Sequence, residues 1–273
     1  MFMFKDILHN VQKHPSLVHC MTNYVTVNDV ANIVLASGGS PIMADDKGEV
    51  EEITSICTSL VINIGTLNAR TVEAMVLAGK KANELGHPVI LDPVGAGASS
   101  MRTETVKRLL REVRFSVIRG NISEIKTVFE GSGATLGVDA SEADAVTAEN
   151  LWKAADMAKC LSAQTGAVIV ITGAIDIVAD EHKVFVLRNG NPMMAKITGT
   201  GCMLDGVVAG FVGSNQDRVL EAAAAAVCAM GYCGEKARTK CEGTSSLRMH
   251  LIDAMSSLTA EELERGAKVE SRI

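Results

Sequence analysis

Short, continuously apolar runs alternate along the chain with longer segments whose apolar residues recur every three or four positions. The short runs, residues 17–20, 41–44, 60–64, 88–91, 115–118 and 167–171, have strand length and no polar alternation. Strands covered on both faces read this way. Between them fall helical segments at 26–36, 50–59, 69–85, 103–111, 122–129 and 148–163. In the third of these, Asn68 is a natural N-cap, Val72, Met75, Val76 and Ala82 form one apolar stripe, and Gly86 stops the helix. After Ile171 the rhythm changes. Runs 175–179 and 183–188 flank Asp180-Glu181-His182, the pattern of a β-hairpin at a sheet edge. Helices then begin at Gly201 and cover 216–236, and a polar, helical C-terminus follows. The pattern predicts one α/β domain over residues 1–273, three-layered and doubly wound, with a mostly parallel sheet, helices on both faces and an edge hairpin.

Composition narrows the function classes. Hydrophobic residues make up 47% and charged residues 21%, enough for an extensive core, while aromatics are only 3%. Stacking of single-stranded nucleic acid needs more aromatic surface than that. The formal net charge of −6 lacks the basic footprint of a duplex binder. It leaves room for an anionic substrate held in a local nest. The seven cysteines include no CxxC pair, so neither a zinc site nor a disulfide framework is expected. Residues 1–16 carry no signal-peptide pattern, and the alanine-rich stretch at 222–230 is too short to span a bilayer. A cytoplasmic protein without nucleic-acid or membrane partners is the expectation.

In a doubly wound sheet, ligands bind beyond the carboxyl ends of the strands, so the residues just after each strand carry the argument. They are Met21-Thr22-Asn23, Met43, Asn63-Ile64-Gly65-Thr66, Asp92-Pro93-Val94-Gly95-Ala96-Gly97, Arg119-Gly120-Asn121, Thr172-Gly173 and Thr198-Gly199-Thr200-Gly201. Each alone also fits ordinary turn chemistry. Gly199 and Gly201 free the backbone ahead of a helix that opens at Cys202, and its unpaired N–H groups suit a phosphoryl group gaining charge. The same glycines would equally serve close helix–sheet packing. Asn121 and Glu124 stand three apart in a first turn, as oxygen ligands of Mg²⁺ or as a reciprocal cap. Asp92 adds an oxygen ligand from another strand end. Asp205 reads as a first-turn acid favoured by the helix dipole, or as a substitute base.

Taken in order, Leu91-Asp92-Pro93-Val94-Gly95-Ala96-Gly97, Asn121-x-x-Glu124, Ile171-Thr172-Gly173 and Thr198-Gly199-Thr200-Gly201-Cys202 resemble the motifs of ribokinase-fold enzymes. Most of those enzymes have aspartate where Cys202 stands. Cysteine there, with Leu17-Val18-His19-Cys20-Met21-Thr22-Asn23, Ser40-Pro41-Ile42-Met43-Ala44 and Asn63-Ile64-Gly65-Thr66-Leu67, resembles the hydroxyethylthiazole kinase family over residues 15–260. The resemblance implies ATP-dependent phosphorylation of 4-methyl-5-(2-hydroxyethyl)thiazole, a step of thiamine salvage, by a homotrimer with sites at subunit interfaces. It assigns Met43 and Gly199 to the thiazole, with Asn23 at its edge, and Arg119 and Thr172 to ATP. Asp92, Asn121 and Glu124 match the Mg²⁺ region, and Gly199, Gly201 and Cys202 the catalytic turn.

A free thiol is mostly neutral at pH 7, unlike a carboxylate. In a loose transition state the hydroxyl proton need not leave early, so weak assistance from Cys202 and a larger share for the anion hole are expected. Glu242-Gly243-Thr244-Ser245-Ser246-Leu247 departs from the family's Gly-Pro-Gly-Ser/Thr-Phe. The alternatives are a hydroxymethylpyrimidine-type kinase and an ATP-dependent NAD(P)H-hydrate dehydratase.

Overall fold

In the computed structural model, which describes residues 4–131 and 146–273, every predicted run becomes a strand. They are β1 (Leu17–Met21), β2 (Ser40–Ile42), β3 (Ser59–Asn63), β4 (Val89–Asp92), β5 (Val117–Asn121), β6 (Val168–Thr172), β7 (Asp176–Ala179) and β8 (Val184–Leu187). A strand that the pattern does not predict, β9 (Val269–Arg272), joins them. The sheet order is β2-β1-β3-β4-β5-β6-β7-β8-β9. Pairing is parallel from β2 through β6 and antiparallel from β6 through β9. The hairpin β7–β8 therefore lies at the antiparallel side, with β9 as the outermost strand.

The helices are α1 (Phe4–Lys13), α2 (Val27–Ala36), α3 (Val50–Ile56), α4 (Ala69–Leu85), α5 (Ser100–Glu112), α6 (Ile122–Gly131) and α7 (Leu151–Thr165). They continue with α8 (Thr200–Gly213), α9 (Val219–Arg238), α10 (Thr244–Ser256) and α11 (Ala260–Gly266). The expected cap of α4 is present: the Asn68 side chain accepts from the Thr71 N–H, and Gly86 closes the helix at φ 72°. Strand residues divide by parity between two cores. Val61 joins the apolar cluster shared with α1, α2, α8, α9, α10 and α11, while Leu60 and Ile62 join that of α3 to α7. All of β3 is buried, which is why its sequence shows no alternation. Each such side chain contributes about 1.5–3 kcal/mol relative to exposure.

The structure also forms α1 from a stretch in which the sequence pattern predicts no element. Phe4, Ile7, Leu8 and Val11 are buried on one face, and the Phe4 ring meets Phe185 of β8 at a centroid distance of 6.1 Å. No described helix is long and apolar enough to cross a membrane.

Candidate active site

Parallel pairing puts the ends of β1, β3, β4, β5 and β6 on one rim, and the register sets Asn63 beside Asp92 and Asn121 beside Thr172. The start of α8 arrives at the same rim. Gly199, its N-cap, has φ 90°, and a Cβ there would overlap the Thr26 methyl. A Cβ at Gly201 would stand 2.5 Å from the Arg119 guanidinium. These two glycines thus let the helix start settle onto α2 and onto β5. The first backbone bond of α8 runs from the Met203 N–H to the Gly199 carbonyl. The N–H groups of Thr200, Gly201 and Cys202 donate to no backbone carbonyl among the described residues, which makes an anion-binding helix start.

Beneath that start lies a buried polar cluster. Asn63 Nδ2 is 2.6 Å from Asp92 Oδ2, 3.3 Å from Cys202 Sγ and 3.3 Å from Asp205 Oδ2, so its N–H groups are shared among three acceptors. Asn23 Nδ2 donates to Asn63 Oδ1 and to Cys202 Sγ, each at 3.1 Å. Arg119 Nη1 stands 3.2 Å from Asp92 and 3.6 Å from Asp205, and Nη2 donates to Thr172 Oγ1 at 3.1 Å. Burial works against the guanidinium charge, but the two carboxylates overcome it and Arg119 stays protonated. Burial, reinforced by the neighbouring Asp92, raises the Asp205 carboxyl well above the usual range. The sequence reads Asp205 as a first-turn acid favoured by the helix dipole, which keeps such acids at the surface end of a helix. It is instead fully buried, because its turn of α8 faces the strand ends.

The proposed metal residues separate into two kinds. Asp92 is fully buried, and its Oδ1 has no hydrogen-bond partner. Glu124 accepts from the Gly95 N–H with Oε1 and from the Asn121 N–H with Oε2, while Asn121 Oδ1 accepts from the Glu124 N–H. Asn121 and Glu124 therefore form the reciprocal cap. Burial, with help from the Asp92 charge, raises the Glu124 carboxyl. A cation at this rim would offset both effects. The orphaned Asp92 oxygen and the remaining Glu124 lone pairs are hard donors suited to Mg²⁺.

Two clefts open on either side of the cluster. One, of about 230 Å³, is walled by Met21, Met43 and Met75 with Thr22, Asn63 and Thr66 at its polar edge. The other, of about 570 Å³, has Arg119, Thr172 and Gly201 at one end and Met194, Val227 and Met230 in its apolar part. Met43 thus lines the smaller cleft, and Arg119 and Thr172 line the larger. Asn23 belongs to the cluster under Cys202 and not to the cleft wall, and Gly199 abuts Thr26 and lines neither cleft. Sequence reasoning passed over Arg102, whose guanidinium donates to the carbonyls of Ile64, Val94 and Gly65 and so ties the loops after β3 and β4 together. Nothing local distinguishes it from a surface helix cation. Asn63 had a signal, since it closes a strand on the rim.

Comparison with known proteins bears on this geometry. Residues 8–261 match the model of the hydroxyethylthiazole kinase family. A hydroxyethylthiazole kinase of Clostridium acetobutylicum is 57% identical over 98% of this chain and 100% of its own length. One from Desulfovibrio desulfuricans is 51% identical over 94% of both. The structure of a hydroxyethylthiazole kinase from Pyrococcus horikoshii OT3 superposes with a TM-score of 0.89 at 31% identity, covering 99% of each chain. An ADP/ATP-dependent NAD(P)H-hydrate dehydratase of Bacillus subtilis shares the fold alone, at a TM-score of 0.55 and 16% identity.

Proposed function

The chain belongs to the hydroxyethylthiazole kinase family, and we propose that it phosphorylates the thiazole alcohol with ATP by holding the two substrates in the clefts that flank Cys202. The reaction is that of the family, transfer of a phosphoryl group to the hydroxyl of 4-methyl-5-(2-hydroxyethyl)thiazole in thiamine salvage. The observation that carries the reading is the pair of clefts meeting at one buried cluster beneath an open helix N-terminus.

In this mechanism the alcohol lies against Met43 with its hydroxyl toward Cys202. Arg119 and Thr172 hold the phosphates of ATP, and Asp92 and Asp205 fix the Arg119 guanidinium from below. Asp92, with Asn121 and Glu124, would hold Mg²⁺, which would supply neutralisation of phosphate charge. The Thr200, Gly201 and Cys202 amides stabilise the charge that develops on the transferred group. Cys202, whose sulfur accepts from the Asn23 and Asn63 amides, takes up the hydroxyl proton late and only in its minor thiolate form, so that it assists weakly. Gly199 and Gly201 serve by letting the helix start approach. The protein works in the cytoplasm as a homotrimer with sites at subunit interfaces. Tyr24, beside the smaller cleft and 79% exposed, supports a neighbouring chain there.

The decisive assay is ADP release with the thiazole alcohol, with and without Mg²⁺. Turnover that needs both the alcohol and the metal is expected. Turnover with a pyrimidine alcohol in preference to the thiazole would overturn the assignment.

A further inference from the structure

Along the rim of the larger cleft the strands follow one another as β5, β6, β7 and β8. Arg119 stands on the first, Thr172 on the second and Asp176 at the start of the third, and all three line the cleft. Neighbouring strands are about 4.8 Å apart and Arg119 is level with Val178, two residues from Asp176, so the two backbones stand roughly 12 Å apart. That is about the reach of an extended triphosphate beyond the phosphate end. Asp176 Oδ1 accepts from the Gly173 N–H at 2.9 Å, which holds the turn after β6. The second oxygen makes no hydrogen bond among the described residues, and the residue lines the cleft. Across from it, Leu204, Val227 and Met230 of α8 and α9 form an apolar wall suited to the flat face of a base.

We infer that Asp176 accepts a hydrogen bond from a ribose hydroxyl of the nucleotide and so selects ribonucleoside over deoxyribonucleoside triphosphates as phosphoryl donors. The inference rests on reading this cleft as the nucleotide site. A carboxylate accepts and never donates, and ribose offers two adjacent hydroxyl donors. Such a charge-assisted bond is stronger than a neutral one. A carboxylate is also unsuited to contact phosphate, which is left to Arg119 and the α8 amides. Sugar is the part of the nucleotide that this oxygen fits.

Asp176→Asn separates the two duties of the side chain. Its Oδ1 still accepts from Gly173, while the second acceptor becomes an amide donor. The experiment measures KM and kcat for ATP, 2′-deoxy-ATP and 3′-deoxy-ATP with wild type and Asp176→Asn. It runs at about pH 8, above the value of about 7 to which burial pushes this largely buried carboxyl. In wild type, KM for at least one deoxynucleotide should rise about tenfold or more with kcat little changed. In Asp176→Asn, KM for ATP should rise and the ratio should fall to about one. Equal KM values for all three nucleotides in wild type, or undiminished discrimination in the variant, overturn the inference. Wild type that shows no thiazole-dependent turnover overturns the functional reading instead, and calorimetric binding of the same three nucleotides still decides the role of Asp176.

Discussion

The Cys202 sulfur receives N–H donors from Asn23 and Asn63, while Asn63 also reaches Asp92 and Asp205. If the helix amides carry the charge stabilisation, Cys202→Ala should lower kcat by about tenfold or less. A principal general base would be worth about 10²–10⁴-fold, so steady-state kinetics with ATP binding checked separately decides between them. Complete loss of turnover in a folded, ATP-binding Cys202→Ala sinks the weak-base mechanism. Cys202→Asp, which supplies a charged acceptor, should raise kcat. The placement of Cys202, Arg119, Thr172 and Asp92 on one rim was readable, because each lies at or near a strand end or a helix start. Asp205 and Arg102 were not. The value of each depends on what faces it across the fold, and a single chain position does not encode that.

At the scale of elements, β1 and the loop after β2 are joined by His19, fully buried in β1. Its Nε2 lies 3.0 Å from the Ala44 carbonyl and its Nδ1 lies 2.9 Å from Thr54 Oγ1. A carbonyl only accepts, so Nε2 carries the proton and Nδ1 accepts from the threonine hydroxyl. Burial holds the imidazole below its ordinary range. The unfolded chain therefore binds a proton at about pH 6.5 that the folded chain refuses, and stability falls as pH drops below that value. Urea unfolding between about pH 8 and 5 should show the decline, and His19→Gln, less stable at high pH, should flatten it. An unchanged slope in the variant would remove His19 as the cause. Elements with strong local signals, such as α4 with its Asn68 cap and Gly86 stop, were legible to the residue. The outer strand β9 was not: Val-Glu-Ser-Arg has no strand pattern and is extended because the edge of β8 offers it a ladder. The amphipathic α1 is similar, short on its own and held by packing against α9 and α11.

For the whole molecule, the −6 net charge and the exposed Tyr24 and Val25 describe a surface with unfinished apolar area beside the smaller cleft. Light scattering at micromolar concentration should return about three times the 28.8 kDa chain mass, and a monomer that turns over at full rate would refute shared sites. The fold class followed from the unbroken apolar runs, since a sheet covered on both faces leaves no polar alternation. The depth of the cluster under α8 did not, because burial of Asp92 and Asp205 is a property of the packed layers. One further consequence lies in how the clefts divide the chain. All residues lining the smaller cleft fall between positions 20 and 75, and all those lining the larger fall between 119 and 231. If the two clefts hold alcohol and nucleotide as proposed, the two specificities are encoded in separate stretches of the sequence, with β4 between them. On that assignment, mutation in the first stretch would retune which alcohol is recognised and leave the phosphoryl-donor machinery intact, a division of labour that would let one scaffold acquire new acceptors piece by piece.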